Sequence, residues 1–514
     1  MFRKILTLGI IMAMVGSVAG CGASSAETTT DVAEHTKEVL TSVDYEVPQQ
    51  IPGILVDQVG YNCNSEKAIV LRGDDLPETF GIYELESGKK VFSGEILKPV
   101  YNEELDEYDC QGYFTDFTKE GSYFISTDVV GESFSFTIKE DAFKETFDEA
   151  CKKYYINRCG IALSENYAGD NAHSACHTQP AHLQEDPATE IDVTGGWHMD
   201  ESAGRDTALG CNIAENLLLA YEMSPSAFTD EVGIPESGNR IPDILDEVKY
   251  EVDWLLKMQD PRTGGEYGAA LTDPVRGGEA INTPVVVAPV SMEATISFAS
   301  AMARFSYTFQ QYDPEFATQC LKAADRAYSC FLNNQKASDN TAAFKAAAQL
   351  YRATGAASYE EVLRSYFERD DFFELFDADE NVFIGGVTYM SINQSVDVDV
   401  CKKLMKALMK RSEAIASAAS KSTYLVTDLG RKDGFDRMLK DMRCLTITDH
   451  IIYNYEYTTI IENHAHFLMG RNPDAVNYVT SGTERTYLDA GMASIAGDPW
   501  RNSLFIFMLS VLEK

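Results

Sequence analysis

Positive charge is scarce in this chain. Against 80 Asp and Glu stand 43 Lys and Arg, a formal net charge of -37 over 514 residues. A surface so acidic repels phosphate backbones and argues against nucleic acid as a partner. It says little against a neutral ligand such as a polysaccharide, and solubility is its plainest meaning. Long apolar runs are scarce too: after the first eighteen residues, no segment is apolar enough for a transmembrane helix. The 11 cysteines form no short even ladder, and so long a chain needs no disulfide scaffold. No fixed-period repeat is visible, which argues against a solenoid. What remains is ordinary globular composition, 45% hydrophobic and 24% charged, in a length that suits two domains after a processed N-terminus.

The N-terminus reads as a targeting segment. Arg3 and Lys4 open it, and Ile5 to Val18 is an apolar run too short to span a bilayer comfortably. It ends in Val18-Ala19-Gly20-Cys21, which resembles the lipobox of bacterial lipoproteins. That resemblance implies cleavage of a signal peptide, residues 1–20, and a lipid on Cys21; an ordinary signal peptide with an incidental cysteine is the alternative. Residues 21–50 are then the lipidated cysteine and a flexible linker of Ser, Thr, Glu and Asp with no pattern to bury. The expectation is an exported lipoprotein anchored at the bacterial cell surface, its membrane contact made through that lipid.

Between 51 and 139 short β runs alternate with Gly, Asn, Asp and Pro, among them Gly53–Gln58, Lys67–Leu71, Gly81–Leu85, Ser122–Ser126 and Ser133–Ile138. That spacing predicts a small β-sandwich. From about Asp141 onward the pattern turns helical. Ile241, Ile244, Leu245, Val248, Val252, Leu255 and Leu256 share one face, and Pro242 opens the helix. Similar stretches recur at 207–223, 291–311, 314–333, 340–354, 358–368, 398–420, 446–469 and 499–513. Ten to twelve helices with short links predict antiparallel hairpins packed into one body. With no Pro/Gly/Ser-rich linker near 141, the sandwich should pack against that body.

Some of the wording is specific. Ile54-Leu-Val-Asp-Gln-Val-Gly-Tyr61, Phe114-Thr-Asp-Phe117 and Gly121-Ser-Tyr-Phe124 resemble the immunoglobulin-like module found ahead of many family 9 cellulases. Gly195-Gly-Trp-His198, Leu217–Glu222, Ile234–Asn239, Ile241–Glu247, Tyr312–Ala317, Phe467-Leu-Met-Gly-Arg-Asn-Pro473 and Tyr478-Val-Thr480 resemble segments of glycoside hydrolase family 9. The resemblance implies an immunoglobulin-like sandwich over 51–139 followed by an (α/α)6 barrel over 140–514, whose open end holds a cleft for β-glucan chains.

Cys159, Cys176, His177 and His198 supply two thiols and two imidazoles, a complete tetrahedral set with no position left for water. Some family 9 enzymes with the immunoglobulin-like module hold a structural zinc on this pattern, so the resemblance implies zinc here. A Cys159–Cys176 disulfide and four unrelated buried side chains are the competing readings. His173 and His182 lie nearby without belonging to the pattern. Calcium is a further ion of the family reading, with no residues to assign it to.

The family's chemistry is where the match fails. Inverting hydrolysis needs a base to activate water and an acid to protonate the leaving oxygen. The family draws its base from two aspartates following the Gly-Gly-Trp-His string. Here that stretch reads Met199-Asp200-Glu201-Ser202-Ala203-Gly204-Arg205, so Met199 and Ser202 stand at the aspartate positions. Asp200 and Glu201 are carboxylates one step out of register. The family's acid is a glutamate shortly before a Trp-Asn or Tyr-Asn pair; anchoring on Trp500 puts Ile495 there. Glu484-Arg485 lie where a substrate-binding segment belongs, without matching it.

The sequence therefore favours a surface-anchored family 9 homologue, catalytically impaired or inactive, that binds or presents a β-glucan-type polysaccharide. Trp197, Tyr267 and Trp500 are its candidate stacking faces, each also readable as core. A second reading is an active β-1,4-glucanase using relocated carboxylates from Asp200, Glu201, Glu484, Asp489 or Asp498. A third is a structural or protein-interaction module whose protein partner the sequence does not name.

Overall fold

The computed structural model describes residues 42–103, 105–272, 283–429, 431, 433–481 and 494–513, with Ser42–Lys514 forming one contact unit. Its first hundred residues build two facing sheets. One orders Ile54–Leu55, Ala68–Arg72, Glu107–Tyr113 and Val100–Asn102; the other orders Tyr61–Asn62, Phe136–Lys139, Gly121–Thr127, Thr79–Glu84 and Lys90–Glu95. Pairing is antiparallel throughout these two paths except where Phe136–Lys139 runs parallel to Tyr61–Asn62. This is the immunoglobulin-like sandwich.

Alternation along the first strands decides where the sandwich sits. Ile54, Val56, Ile69 and Leu71 point into the sandwich core with Ile82, Ile125 and Ile138. Leu55 and Val70, one residue out of phase, are fully buried in the core of the helical body instead. Both faces of this sheet edge are thus covered, which explains why its strands read as continuous apolar runs. Polar contacts fasten the same seam. His466 Nδ1 and Asp57 Oδ2 are 2.7 Å apart and fully buried, Gln58 Nε2 donates to the Ala475 carbonyl at 2.6 Å, and Gln111 Nε2 donates to the Thr423 carbonyl at 2.8 Å.

Helices take over at Lys144. Six form an inner ring: Thr207–Met223, Met292–Phe309, Thr341–Thr354, Glu380–Met390, Gly434–Ile451 and Pro499–Leu509, the last closing back on the first. Outside them lie Lys144–Ile156, Asp243–Lys257, Pro314–Asn334, Ala357–Phe367, Val398–Ala419 and Tyr455–Leu468. The two rings differ in their burial patterns. Met292–Phe309 is buried on nearly every side, whereas Val398–Ala419 buries only Leu404, Leu408, Ser412, Ile415, Ala416 and Ala419, a single stripe. The result is an (α/α)6 barrel.

Two expectations need correcting. The stretch 446–469 is not one helix: it breaks after Ile451, and Asn454 caps a new helix by accepting from the Glu456 N–H at 3.1 Å. Ile451, Ile452 and Tyr453 carried the apolar pattern across a turn that exposes them. Nor is everything after 141 helical. A five-stranded sheet orders Glu190–Ile191, Ala181–Leu183, Val285–Val287, Ala269–Thr272 and Arg205–Asp206, tying the loop before the Thr207 helix to the loop after Lys257.

Candidate metal cluster and barrel-mouth site

The four residues of the candidate metal cluster meet because two loop segments pair. Arg158 and Trp197 form an antiparallel bridge, with Cys159 N donating to Gly196 O and His198 N donating to Asn157 O, both at 2.8 Å. Gly160 makes this approach possible: a Cβ there would lie 2.8 Å from Gly195 N, and its φ of +86° suits glycine. Below the bridge, Arg158 is buried between Glu236 and Glu247, at 2.9 Å from each. Cys176 and His177 close the group from the loop between.

The four ligand atoms lie within 4.8 Å of one another. Cys159 Sγ is 3.4 Å from His177 Nδ1, and Cys176 Sγ is 3.8 Å from Cys159 Sγ and 3.7 Å from His198 Nε2. Bonds of about 2.0–2.3 Å to a tetrahedral ion would hold such atoms roughly 3.3–3.8 Å apart, so the set fits a metal of that kind. The two thiols share an S–H···S hydrogen bond, which pushes the Cys176 thiol down and Cys159 up. The sulfurs are not bonded, and all cysteines among the described residues are free. His173 turns instead to the Ser174 carbonyl, and His182 lies beside Glu190.

Immediately after His198 the chain makes a tight turn. Met199 N donates to Gly204 O at 2.8 Å, Ala203 N donates to Asp200 O at 3.0 Å, and Ala203 takes a left-handed φ of 55°. Asp200 closes this turn on itself, its Oδ1 accepting from Gly204 N at 3.2 Å. Asp200, Glu201 and Ser202 are exposed, while half-buried Met199 packs beside Gly210. Behind it lies Glu251, which accepts from Trp197 N at 2.8 Å and whose carboxyl burial pushes up to about 8.

Residues of five inner helices line a cavity of about 220 Å³ at the barrel mouth. Its walls include Asn212, Glu215, Lys345, Glu380, Arg443 and Trp500. Both carboxylates are engaged. Glu215 Oε2 lies 2.6 Å from Lys345 Nζ, and its other oxygen accepts from Ser300 Oγ at 2.6 Å. Glu380 is held by Arg443 and, at 3.1 Å, by Arg411. Burial pushes the Glu380 carboxyl up, but the two guanidiniums outweigh it and keep it below its usual range. A general acid needs the opposite shift.

The other sequence candidates fall as follows. Trp197 is fully buried, its ring 4.7 Å from that of Tyr154, so it has no free face for a sugar. Trp500 is half-buried at the mouth with the Lys440 ammonium 5.3 Å from its ring centre. Ile495 is fully buried in the core. Asp498 caps the last helix, accepting from Trp500 N and Arg501 N at 3.0 and 3.1 Å, and pairs with Arg501. Cys21, Glu484 and Asp489 lie outside the described residues. The mouth residues Glu215, Lys345, Glu380 and Arg443 were missed from sequence; for Glu215 and Lys345 a lone charge in an apolar stretch, as in Ala-Ala-Phe-Lys345-Ala-Ala-Ala, was the available signal.

The chain is similar to known proteins along most of its length. A cellodextrinase of Butyrivibrio fibrisolvens is 28% identical over 496 residues, covering 87% of this chain and 88% of that one. A metagenome-derived glycoside hydrolase family 9 endoglucanase superposes with a TM-score of 0.78 at 22% identity, covering 90% and 98% of the two chains. A zinc-binding triple mutant of another family 9 endoglucanase does so at 0.76 and 22%, covering 88% and 99%. Residues 49–132 match the cellulase N-terminal ig-like domain. With residues 143–496 matching the model of glycosyl hydrolase family 9, the chain belongs to that family.

Proposed function

We propose that this family member binds a β-glucan-type polysaccharide at its barrel mouth, with hydrolysis impaired or absent. One observation carries the reading: both carboxylates that line the mouth are tied to cations, and Asp200 is spent on closing the 199–204 turn. Glu215 and Glu380 are tied to Lys345, Arg443 and Arg411, and Asp200 closes its own turn. General acid and general base each contribute about 10²–10⁴-fold, so losing both leaves turnover near background. Sugar binding needs neither, since hydroxyls bond to neutral or paired polar groups and apolar ring faces pack on side chains such as Trp500.

The second reading is hydrolysis by relocated carboxylates. It is favoured by the exposure of Asp200 and Glu201 on the turn itself and by the activity named in the cellodextrinase relative. Reducing-end release from soluble β-1,4-glucan, measured beside glucan binding, separates the two. Binding without release is expected. Turnover that disappears in an Asp200→Asn, Glu201→Gln variant would replace the first reading by the second.

Zinc is the ion we assign to Cys159, Cys176, His177 and His198. The ligand chemistry and spacing support it, as does the existence of a zinc-binding variant in the same fold. Its role is structural, holding the 157–160 and 195–198 segments together ahead of the turn. We further propose export and tethering through Cys21, on the strength of Val18-Ala19-Gly20-Cys21. The mass of the mature N-terminus tests this: a diacylglycerol adduct on Cys21 is expected, and an unmodified Cys21 would rule the tether out.

A further inference from the structure

The scarce cations of this chain are unevenly spread. Lys403, Lys406 and Lys410, at three- and four-residue spacing on the Val398–Ala419 helix, share one face. They line a groove of about 490 Å³ whose opposite wall is the short helix Phe372–Ala378, where Phe373 is 39% exposed. Among the described residues none of the three lysines has an ion-pair partner, whereas neighbouring Lys402 is paired with Asp399 at 3.0 Å. Counting Arg411, four cations line the groove against two acids, Glu374 and Asp377. That is an inversion of sign on a protein of net charge -37.

The groove is also connected. Asp377, Arg411 and Ala414 line both it and an adjoining cavity of about 680 Å³, which in turn shares Glu380 and Lys440 with the barrel mouth. The middle stretch is acidic, with Asp428, Asp433, Asp436 and Asp441 in its walls, so it separates the cationic groove from the barrel mouth.

We propose that this groove binds acidic sugar residues of a uronate-bearing polysaccharide, the Phe373 ring taking a sugar's apolar face and the lysines its carboxylates. The choice of a sugar over another anion rests on the reading of the mouth as a saccharide site. An unpaired lysine row alone would suit any anion; the exposed ring and the apolar floor of Phe376 and Ala407 suit one that also offers C–H faces. A bilayer would need a flat or convex contact, which a concave groove does not give. The protein's overall negative charge does not defeat the interaction, because at physiological salt charges beyond about 8 Å are largely screened.

The test uses the full chain at physiological salt with three probes: polygalacturonate, a neutral β-1,4-glucan, and vesicles containing phosphatidylglycerol. Polygalacturonate binding should weaken about tenfold in a Lys403→Gln, Lys406→Gln, Lys410→Gln variant, as three exposed charge pairs of ordinary strength would add. Phe373→Ala should weaken it several-fold. All these side chains border solvent, and unchanged melting curves confirm folding. Unchanged affinity in the triple variant overturns the proposal. So does vesicle binding equally sensitive to the lysines with Phe373→Ala inert, which would mean non-specific attraction of anions. If polygalacturonate binds and neutral glucan does not, the barrel-mouth reading falls and the groove stands; the reverse result removes the groove alone.

Discussion

Cys176 bridges the metal group, since its sulfur lies within 4 Å of both Cys159 Sγ and His198 Nε2. Cys176→Ser replaces a soft thiolate by a hydroxyl that stays protonated near neutral pH, leaving three ligands around a dication. The expected outcome is a fall from one zinc per chain towards none by elemental analysis, with a melting temperature lower by a few degrees, as a few kcal/mol would give in a protein of this size. A metal-free natural protein, or a Cys159–Cys176 disulfide found by peptide mapping, would refute the assignment. At this scale the sequence was legible where residue type alone decides chemistry, so the four residues that the structure brings together could be named. It left two readings open where orientation decides. Trp197 sits in the segment that carries His198, but its backbone N–H is bound to Glu251 and its indole is folded inward.

Elements were legible wherever one period persisted. The Asp243–Lys257 helix was readable because its apolar residues keep to one face, and Pro242 marks its start. The break at Asn454 was not, because a cap is one side-chain bond and the apolar run on either side of it is unbroken. The same principle reassigns Asp498. From sequence it is the only acid near the expected position of the proton donor. In the structure its Oδ1 satisfies two of the free N–H groups at the start of the Pro499–Leu509 helix, and Oδ2 pairs with Arg501. With both oxygens so engaged, the Asp498 side chain serves the helix start and is not free to face a leaving group. The short cleft-side strands escaped notice for a different reason. At two to four residues each, they are fixed by pairing between distant loops, such as Arg205 with Ala270, and carry no period of their own.

The whole molecule is held by a seam that is polar as well as apolar, and this gives it a pH dependence. At the join of sandwich and barrel, Asn62 Nδ2 donates to Glu462 Oε1 at 3.2 Å. Burial pushes the Glu462 carboxyl up to about 7 from an ordinary 4.5, although Ser65, Asn62, Lys67 and Arg471 each pull it part of the way back. A carboxyl raised in this way binds its proton more tightly in the folded protein than in the unfolded chain. Its contribution to stability is therefore fullest below about 4.5 and is lost as the pH rises through about 7. Glu251 and Asp441, pushed up to about 8 and about 7, act in the same direction, so a decline with pH cannot by itself be assigned to one group. Glu462→Gln isolates it. The amide oxygen still accepts from Asn62, and the side chain stays neutral at every pH. Scanning calorimetry at pH 6, 7 and 8 should show the natural protein losing melting temperature with rising pH, and the variant losing less, the gap widening to a few degrees at pH 8. Parallel curves would mean that Glu462 is ionised and solvated in the folded protein and that the seam tolerates its charge.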